Sequence, residues 1–245
     1  MSPDHALLTN DERALFEYSM LKRHRLEEQF ENLEQQTHAA STGMWVFLGT
    51  EVMFFGTLFT GLAIYRFLYG TAFEHASVEL NWIIGGINTI VLLVSSGTIV
   101  LALHFARADR SRVAAWLLIV TALLGLLFLG LKGYEYYDDY DQQLIPGWTF
   151  DEHDWIDRGL TAEQVPHVQL FLVFYWVMTA FHALHVTIGI AAVAIVAALA
   201  WRGHFSSTYY APVDVLALYW HFVDVVWIFL LPMLYLEGTH ALAAG

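Results

Sequence analysis

The sequence VAAWLLIVTALLGLLFLGL, from Val113 to Leu131, contains no charged residue. A helix rises 1.5 Å per residue, so roughly 20 apolar residues cross a hydrocarbon core about 30 Å thick. Four further apolar runs are long enough to do so, and they are Met44 to Tyr65, Trp82 to Ala106, Val168 to Trp201 and Val213 to Leu236. We expect an all-α integral membrane protein with a bundle of five transmembrane helices, because lipid forces each segment to satisfy its own backbone hydrogen bonds.

The longest apolar run, Val168 to Trp201, has more residues than one upright span needs. It contains no cluster of glycine and proline that would fold it into two shorter helices. We therefore expect a single tilted helix that extends beyond the bilayer.

The composition supports a membrane protein and excludes several other classes. Hydrophobic residues make up 57 % of the chain and charged residues 14 %, whereas soluble domains average about 45–50 % and 25 %. The net charge of -13 argues against a nucleic-acid partner, which would need clustered positive charge. The absence of cysteine rules out disulfides, thiolate zinc sites and iron–sulfur clusters.

The basic residues predict the orientation of the chain. Most of them fall in the N-terminal segment and in the loops after the second and fourth spans, namely Arg13, Lys22, Arg23, Arg25, Arg107, Arg110, Arg112 and Arg202. The opposite side has Arg66, Lys132 and Arg158. Because Lys and Arg concentrate in cytoplasmic loops, we expect a cytoplasmic N-terminus and a periplasmic or external C-terminus.

The polar segments divide the chain into a leader (1–43), a membrane domain (44–238) and a C-terminal tail (239–245). Within the leader, Asn10 to Gln36 has the pattern of an amphipathic cytoplasmic helix, either a docking helix for a partner subunit or a solvated leader. Within the membrane domain, residues 133–166 are interpreted as an acidic outer loop. That loop either attracts a basic soluble partner or is an ordinary solvated charge run.

Five ionisable residues within the spans are candidates for function, since such groups are costly in a membrane. Glu51 is interpreted either as an acid that exchanges protons or faces lipid head groups, or as a neutral acid hydrogen-bonded to another helix. His182 and His185, and likewise His221 and Asp224, are three residues apart and share a helical face. They fit haem or metal ligation, but interhelical hydrogen bonding is the commoner use of such pairs.

Five motifs, in order, resemble one family. They are GMWVFLGTEVMFF (43–55), INTIVLLVSS (87–96), GYEYY (133–137), FHALHVTIG (181–189) and YWHFVDVVWIFL (219–230). Together they resemble subunit III of the haem–copper terminal oxidases, the cytochrome c oxidase subunit III family, from Gly43 to Leu236. The last two motifs, in this order and on the last two spans, make the resemblance specific.

The resemblance implies a non-redox subunit of a proton-pumping cytochrome c oxidase of the aerobic respiratory chain. It would lie in a bacterial cell inner membrane. Subunit III of this family binds no metal, haem or copper, and haem and copper lie in partner subunits. The implied partners are subunit I in direct contact, subunit II and the other subunits, membrane lipid including structural phospholipid, and cytochrome c as electron donor to the complex.

The resemblance also assigns the candidate residues, none of them catalytic. Glu51 matches the buried acid in the helix that faces subunit I, through which the family is thought to support proton uptake and the stability of subunit I. Glu135 and Tyr136 match a Glu-Tyr pair at the outer end of a helix. The residues implied for polar packing between helices are His182, His185, His221 and Asp224.

The sequence departs from the seven-span members of the family. With five spans it cannot build their lipid cleft alone, and Ser41 stands where many of them have an Arg. Five-span versions also occur in quinol oxidases and as accessory proteins of nitric oxide reductases, which remain alternatives. Two readings from other classes are a membrane haem protein that uses His182, His185 and His221, and a transporter with Glu51 as coupling acid.

Overall fold

The computed structural model describes residue 30 and residues 32–148, 150–207 and 209–236. These residues form seven helices, which are α1 (Leu33–Leu68), α2 (Gly70–Val78), α3 (Trp82–Arg107), α4 (Ser111–Asp141), α5 (Glu152–Asp157), α6 (Val165–Trp201) and α7 (Ala211–Tyr235). Five of them, α1, α3, α4, α6 and α7, are long and apolar enough to cross a membrane. The predicted five-span helical bundle is confirmed, and the longest apolar run is one continuous helix.

Four of the long helices form a closed bundle. Helix α3 packs against α4, α4 against α6, α6 against α7, and α7 against α3. Helix α1 lies outside this ring, mainly against α7 and to a lesser extent against α6. Consequently α1 exposes large apolar side chains such as Trp45, Met53 and Phe67 along much of its surface.

Close contact between α4, α6 and α7 depends on two glycines around the buried indole of Trp220. A Cβ atom at Gly125 would lie 2.9 Å from Trp220, and a Cβ atom at Gly189 would lie 2.9 Å from the same ring. The indole Nε1 donates to Ser95 Oγ at 3.0 Å, which joins α7 to α3. Small residues thus allow a large aromatic side chain to fill the centre of the bundle.

Helix α1 crosses the boundary predicted at residue 43 between the leader and the membrane domain. Helix α1 begins at Leu33, directly after Asn32, whose side-chain oxygen accepts a hydrogen bond from Gln35 N at 2.8 Å. Asparagine is a favourable N-cap, and it starts the helix eleven residues before its apolar part. The last residues of the predicted amphipathic helix therefore belong to α1, while residues 10–29 of that prediction and the tail 239–245 lie outside the described residues.

The interpretation of residues 133–166 as a loop was wrong for residues 133–141, which continue α4. Lys132, Glu135 and Asp139 are spaced so that they share one helical face, and that face is buried in the bundle. Their polar contacts inside the protein allow the helix to continue through a charged segment. Beyond it, α5 begins directly after Asp151, whose carboxylate accepts a hydrogen bond from His153 N at 2.9 Å.

Two helices on the predicted outer side, α2 and α5, are joined by one arginine. Arg158 Nη1 lies 2.6 Å from Glu79 Oε1, beside the end of α2, and Arg158 Nη2 lies 2.7 Å from Asp154 Oδ2 on α5. The guanidinium also lies over the buried ring of Trp155, 5.1 Å from its centroid. The sequence did not predict α2, because its nine residues are too short to stand out beside the apolar runs.

Candidate functional site

Glu51 and His185, two separately predicted residues, meet across the contact between α1 and α6. Glu51 Oε2 lies 3.1 Å from His185 Nε2. The other ring nitrogen, His185 Nδ1, lies 2.7 Å from the backbone oxygen of Phe181, one turn earlier on α6. The histidine ring is therefore oriented by its own helix, with one nitrogen directed at the carboxyl group.

These contacts determine where protons lie. The carbonyl oxygen of Phe181 can only accept, so His185 Nδ1 carries a hydrogen. His185 Nε2 then either accepts a hydrogen bond from a protonated Glu51 or, as imidazolium, donates one to the ionised carboxylate. Either arrangement gives a hydrogen bond between the side chains of Glu51 and His185.

The pair lies at the edge of the bundle and near the middle of α1. Glu51 stands about 27 Å from each end of that helix at 1.5 Å per residue. The side chains of Glu51 and His185 are 19 % and 13 % exposed, so the pair is accessible from the side. Phe55 lies with its ring 5.3 Å from that of His185, and the Tyr219 hydroxyl donates to the backbone oxygen of His185 at 2.9 Å.

The remaining predicted polar residues on α6 and α7 lie elsewhere in the bundle. His221 Nδ1 is 2.7 Å from Ser96 Oγ on α3. The His182 ring lies between Phe128 and Trp227, with centroids 5.5 and 5.1 Å away. Asp224 is buried on α7. Each thus lies at a helix–helix contact, whereas the proposal that their purpose is packing stays a prediction.

A second polar group, which the sequence reasoning missed, lies at the predicted outer end of α4, α6 and α7. We call it the Lys132 cluster, and it consists of Lys132, Glu135, Asp139, Tyr175 and Tyr235. Lys132 Nζ lies 3.1 Å from Glu135 Oε2 and donates to the hydroxyls of Tyr175 and Tyr235 at 3.0 and 2.6 Å. Those hydroxyls in turn donate to Asp139 and Glu135, each at 2.6 Å.

Of the predicted pair, Glu135 belongs to this cluster and Tyr136 lies beside it. Glu135 is inside the cluster, whereas the Tyr136 hydroxyl donates to Thr179 Oγ1 at 2.8 Å. The Tyr136 ring stacks on Trp176 with centroids 4.5 Å apart. The signal for the cluster was the spacing of Lys132, Glu135 and Asp139 on one helical face, which the surrounding acids and tyrosines obscured.

Metal ligation has little support in the described part of the chain. There, no three His, Asp or Glu side chains come together in a way that could hold a metal ion. The charged groups of the Lys132 cluster and of the Glu51–His185 pair contact one another, hydroxyl groups or backbone atoms.

Comparison with known proteins finds relatives that are named as subunit 3 of an oxidase. A family model described as Cytochrome c oxidase subunit III matches residues 167–239. The Cytochrome c oxidase subunit 3 of Synechocystis sp. is 33 % identical over 203 residues, 79 % of this chain and 74 % of that protein. The Probable quinol oxidase subunit 3 of Staphylococcus epidermidis is 29 % identical over 213 residues, 84 % of this chain and 94 % of that protein.

A second cytochrome c oxidase subunit 3, from Thermostichus vulcanus, is 30 % identical over 198 residues, 79 % of this chain and 85 % of that protein. The family model covers nearly all of α6 and α7, the helices that carry His185, Tyr175 and Tyr235. The chain belongs to the cytochrome c oxidase subunit III family and is a multi-pass membrane subunit of a haem–copper terminal oxidase.

Proposed function

We propose that this chain is the non-redox subunit III of a proton-pumping oxidase that transfers electrons from cytochrome c to oxygen. In this proposal it lies in a bacterial inner membrane with its N-terminus in the cytoplasm. Helix α1 packs against the catalytic subunit I, and haem and copper lie in the partner subunits. The chain supports proton uptake and the stability of subunit I during turnover.

The observation that carries this proposal is the pair of Glu51 and His185. A protonatable pair in the middle of a span is costly, and it usually faces a functional partner. Here the pair faces sideways, on the one long helix that lies outside the four-helix ring. A neighbouring subunit that covers α1 would therefore contact a side-chain pair that can give or take one proton.

Apolar surface on α1 supports the same placement of subunit I. Trp45, Val46 and Met53 are more than half exposed and lie within two turns of Glu51. In this arrangement a partner helix packs on the apolar residues and shields the acid from lipid.

The acidic outer segment supports cytochrome c as the electron donor. Its acids Asp151, Glu152, Asp154, Asp157 and Glu163 are all exposed. Because exposed charge attracts an oppositely charged partner over long distances, this surface would favour the approach of a basic cytochrome c to the complex.

A quinol oxidase is the second candidate, because the match covers a larger share of the quinol oxidase relative's length. The relative named as a probable quinol oxidase subunit is covered over 94 % of its length, against 74 % for the Synechocystis cytochrome c oxidase subunit. Oxygen uptake by the purified complex should be measured with reduced cytochrome c and with a quinol as alternative donors. Uptake with cytochrome c supports the first proposal, and uptake with quinol alone replaces it by the second.

A structural phospholipid is a further proposed ligand. An open apolar groove runs along the last turns of α1 beside α7 and is lined by Phe59, Ala63, Ile64, Phe67 and Met233. Its apolar lining suits an acyl chain. Mass spectrometry of the complex in detergent tests this, since a lipid bound here should be displaced by Ala63→Trp.

The role of Glu51 is tested with Glu51→Gln in the assembled oxidase. The amide keeps the size of the side chain but cannot be ionised, so the pair loses its exchangeable proton. We expect normal assembly but slower proton uptake or a shorter turnover lifetime. Glu163→Gln, at an exposed loop position, is the matched control. Equal behaviour of the two variants through prolonged turnover would show that Glu51 is structural.

A further inference from the structure

Apart from Glu135 Oε2, which forms an ion pair with Lys132, three buried polar side chains among the described residues have atoms without a hydrogen-bond partner in the protein. They are Asn88 on α3, His182 on α6 and Asp224 on α7, and their exposed fractions are 0 %, 1 % and 4 %. The atoms are both amide atoms of Asn88, Nε2 of His182 and both carboxyl oxygens of Asp224. Buried polar atoms in native proteins nearly always have a partner, so this group requires an explanation.

His182 contacts one tryptophan, Trp227, Asp224 lies one turn before it on α7, and Asn88 is next in the chain to a residue that bonds to it. The His182 ring centroid is 5.1 Å from that of Trp227. Trp227 Nε1 donates to Thr89 Oγ1 at 3.0 Å, and Thr89 is the neighbour of Asn88 in the chain. Asp224 precedes Trp227 by three residues, about one turn, on α7. The unpartnered groups thus come from three helices that meet around one indole.

On its outer side this region continues into the Lys132 cluster. Gly85 lies one turn before Asn88 on α3, and a Cβ atom there would be 3.3 Å from the ring of Tyr235. Tyr235 accepts a hydrogen bond from Lys132. Asn88 is thus one helical turn from a residue that contacts a hydrogen-bonded member of the cluster.

On its other side the region reaches Ser96, which lies beside Asp224. The Ser96 hydroxyl is 2.7 Å from His221 Nδ1. A hydroxyl has one hydrogen to donate, so Ser96 cannot satisfy both carboxyl oxygens of Asp224. At least one of these oxygens therefore has no hydrogen-bond partner among the described residues.

We propose that Asn88, His182 and Asp224 form a buried water-binding site between α3, α6 and α7. Their atoms include donors and acceptors, and water can serve both because it donates and accepts. Buried waters typically bridge two to four polar groups that would otherwise lack partners. An apolar ligand would leave the same atoms unpaired.

The direct test is a structure of the purified oxidase at a resolution that shows ordered water. We expect solvent density about 2.7–3.2 Å from Asn88 Nδ2 or Oδ1 and from a carboxyl oxygen of Asp224. In His182→Phe, the density next to the former Nε2 position should disappear while the rest remains. Absence of density, or a ligand at the shorter distances of metal coordination, would overturn the proposal.

A second test uses an apolar residue of similar size, Asn88→Leu, in the same complex. If the site binds water, this change removes a partner of the bridging water and lowers the melting temperature, by about 2–4 °C for one lost interaction. If the site is dry, the change removes an unpaired amide and leaves the melting temperature unchanged or higher, which would contradict the proposal.

Thr121→Val is the control for that comparison. Thr121 is buried on α4, where its hydroxyl is hydrogen-bonded within the protein to Leu117 O at 2.9 Å and to Thr98 Oγ1 at 2.7 Å. Its loss should lower the melting temperature whether or not water binds at Asn88. If Asn88→Leu does not assemble, the structure of the unaltered oxidase still decides between the two outcomes.

Discussion

The Lys132 cluster and the pair of Glu51 and His185 are both acid–base groups within the membrane bundle, yet they differ in number of partners and in accessibility. The charged members of the cluster, Lys132, Glu135 and Asp139, are at most 3 % exposed. Two tyrosine hydroxyls link them into a closed network. The pair has a single contact between its side chains and lies at the edge of the bundle.

From this difference we expect the Lys132 cluster to stabilise the bundle and the pair of Glu51 and His185 to exchange a proton. A buried charge that loses its partner is strongly destabilising, so each member of the cluster depends on the others. A partly exposed pair depends less on its internal contact and can exchange a proton with a neighbour. We therefore expect substitutions in the cluster to affect assembly, and substitutions in the pair to affect turnover.

The largest effect should come from Lys132→Met. This change leaves Glu135 and Asp139 as buried acids without a cation, and removal of one partner from a buried ion pair costs about 3–5 kcal/mol. We expect the subunit to be largely lost from the purified complex, as measured by its yield relative to subunit I. Arg202→Met, at an exposed position, is the control. Equal yields for both variants would show that the cluster does not stabilise the bundle.

Gly189→Ala should lower stability less than Lys132→Met does. The added methyl group would crowd Tyr219, which contacts the backbone of His185. A Cβ atom at Gly189 would lie 2.9 Å from Trp220 and 3.2 Å from Tyr219, which donates to the His185 backbone. Overpacking of this kind costs about 1–3 kcal/mol, and we expect a lower melting temperature. At Gly130, where a Cβ meets no atom within 4 Å, the same change should not destabilise. Equal melting temperatures would contradict the close packing.

The stability effect of Glu51→Gln should be smaller still. The amide can donate a hydrogen bond to His185 Nε2, and a hydrogen bond between helices in a membrane contributes about 0.6–2 kcal/mol. We therefore expect a melting temperature close to that of the unaltered complex, even where turnover is impaired. A loss as large as that of Lys132→Met would remove the distinction between the two regions.

The smallest effect should come from an exposed reference acid, Asp109, in the connection between α3 and α4. Ser207 N donates to its carboxylate at 2.6 Å, and this hydrogen bond lowers the pKa of Asp109 from 3.8. A lowered folded-state pKa contributes stability that is present above the unfolded value and lost as the pH falls through the folded-state value.

The lowered pKa of Asp109 predicts how the melting temperatures of Asp109→Asn and the unaltered complex compare at different pH values. The residue has a positive φ of 59°, which asparagine also tolerates. Between about pH 5.5 and about pH 8, both above the pKa in either state, the difference in melting temperature should stay constant and small. A difference that changes across this range would mean that Asp109 titrates there.

The sequence was sufficient to predict the spans, because a membrane requires long apolar segments whatever their neighbours. It was not sufficient to predict where α1 begins or α4 ends. Both extensions consist of polar residues, and hydropathy alone does not distinguish a polar helix from a loop. In α4 the reason is specific, since Lys132, Glu135 and Asp139 have their partners on α6 and α7.

The candidate site shows a similar limit. Glu51 and His185 were both identified because ionisable residues are rare within spans. Their pairing depends on the register of α1 against α6, which are separated by more than a hundred residues, and no local pattern encodes it. Tyr175 and Tyr235 were missed for a related reason, because a tyrosine near a helix end resembles an ordinary interfacial anchor.

The central claim is that a neighbouring oxidase subunit covers α1 beside Glu51. Because the chain has no cysteine, Met53→Cys on α1 gives one site for a photoactivatable thiol-reactive cross-linker. Leu123→Cys, exposed on α4, which packs mainly against α3 and α6, is the control. In the purified oxidase, the claim predicts a cross-link from position 53 to subunit I and none from position 123 to that subunit. A cross-link to subunit I from position 123 alone would contradict it.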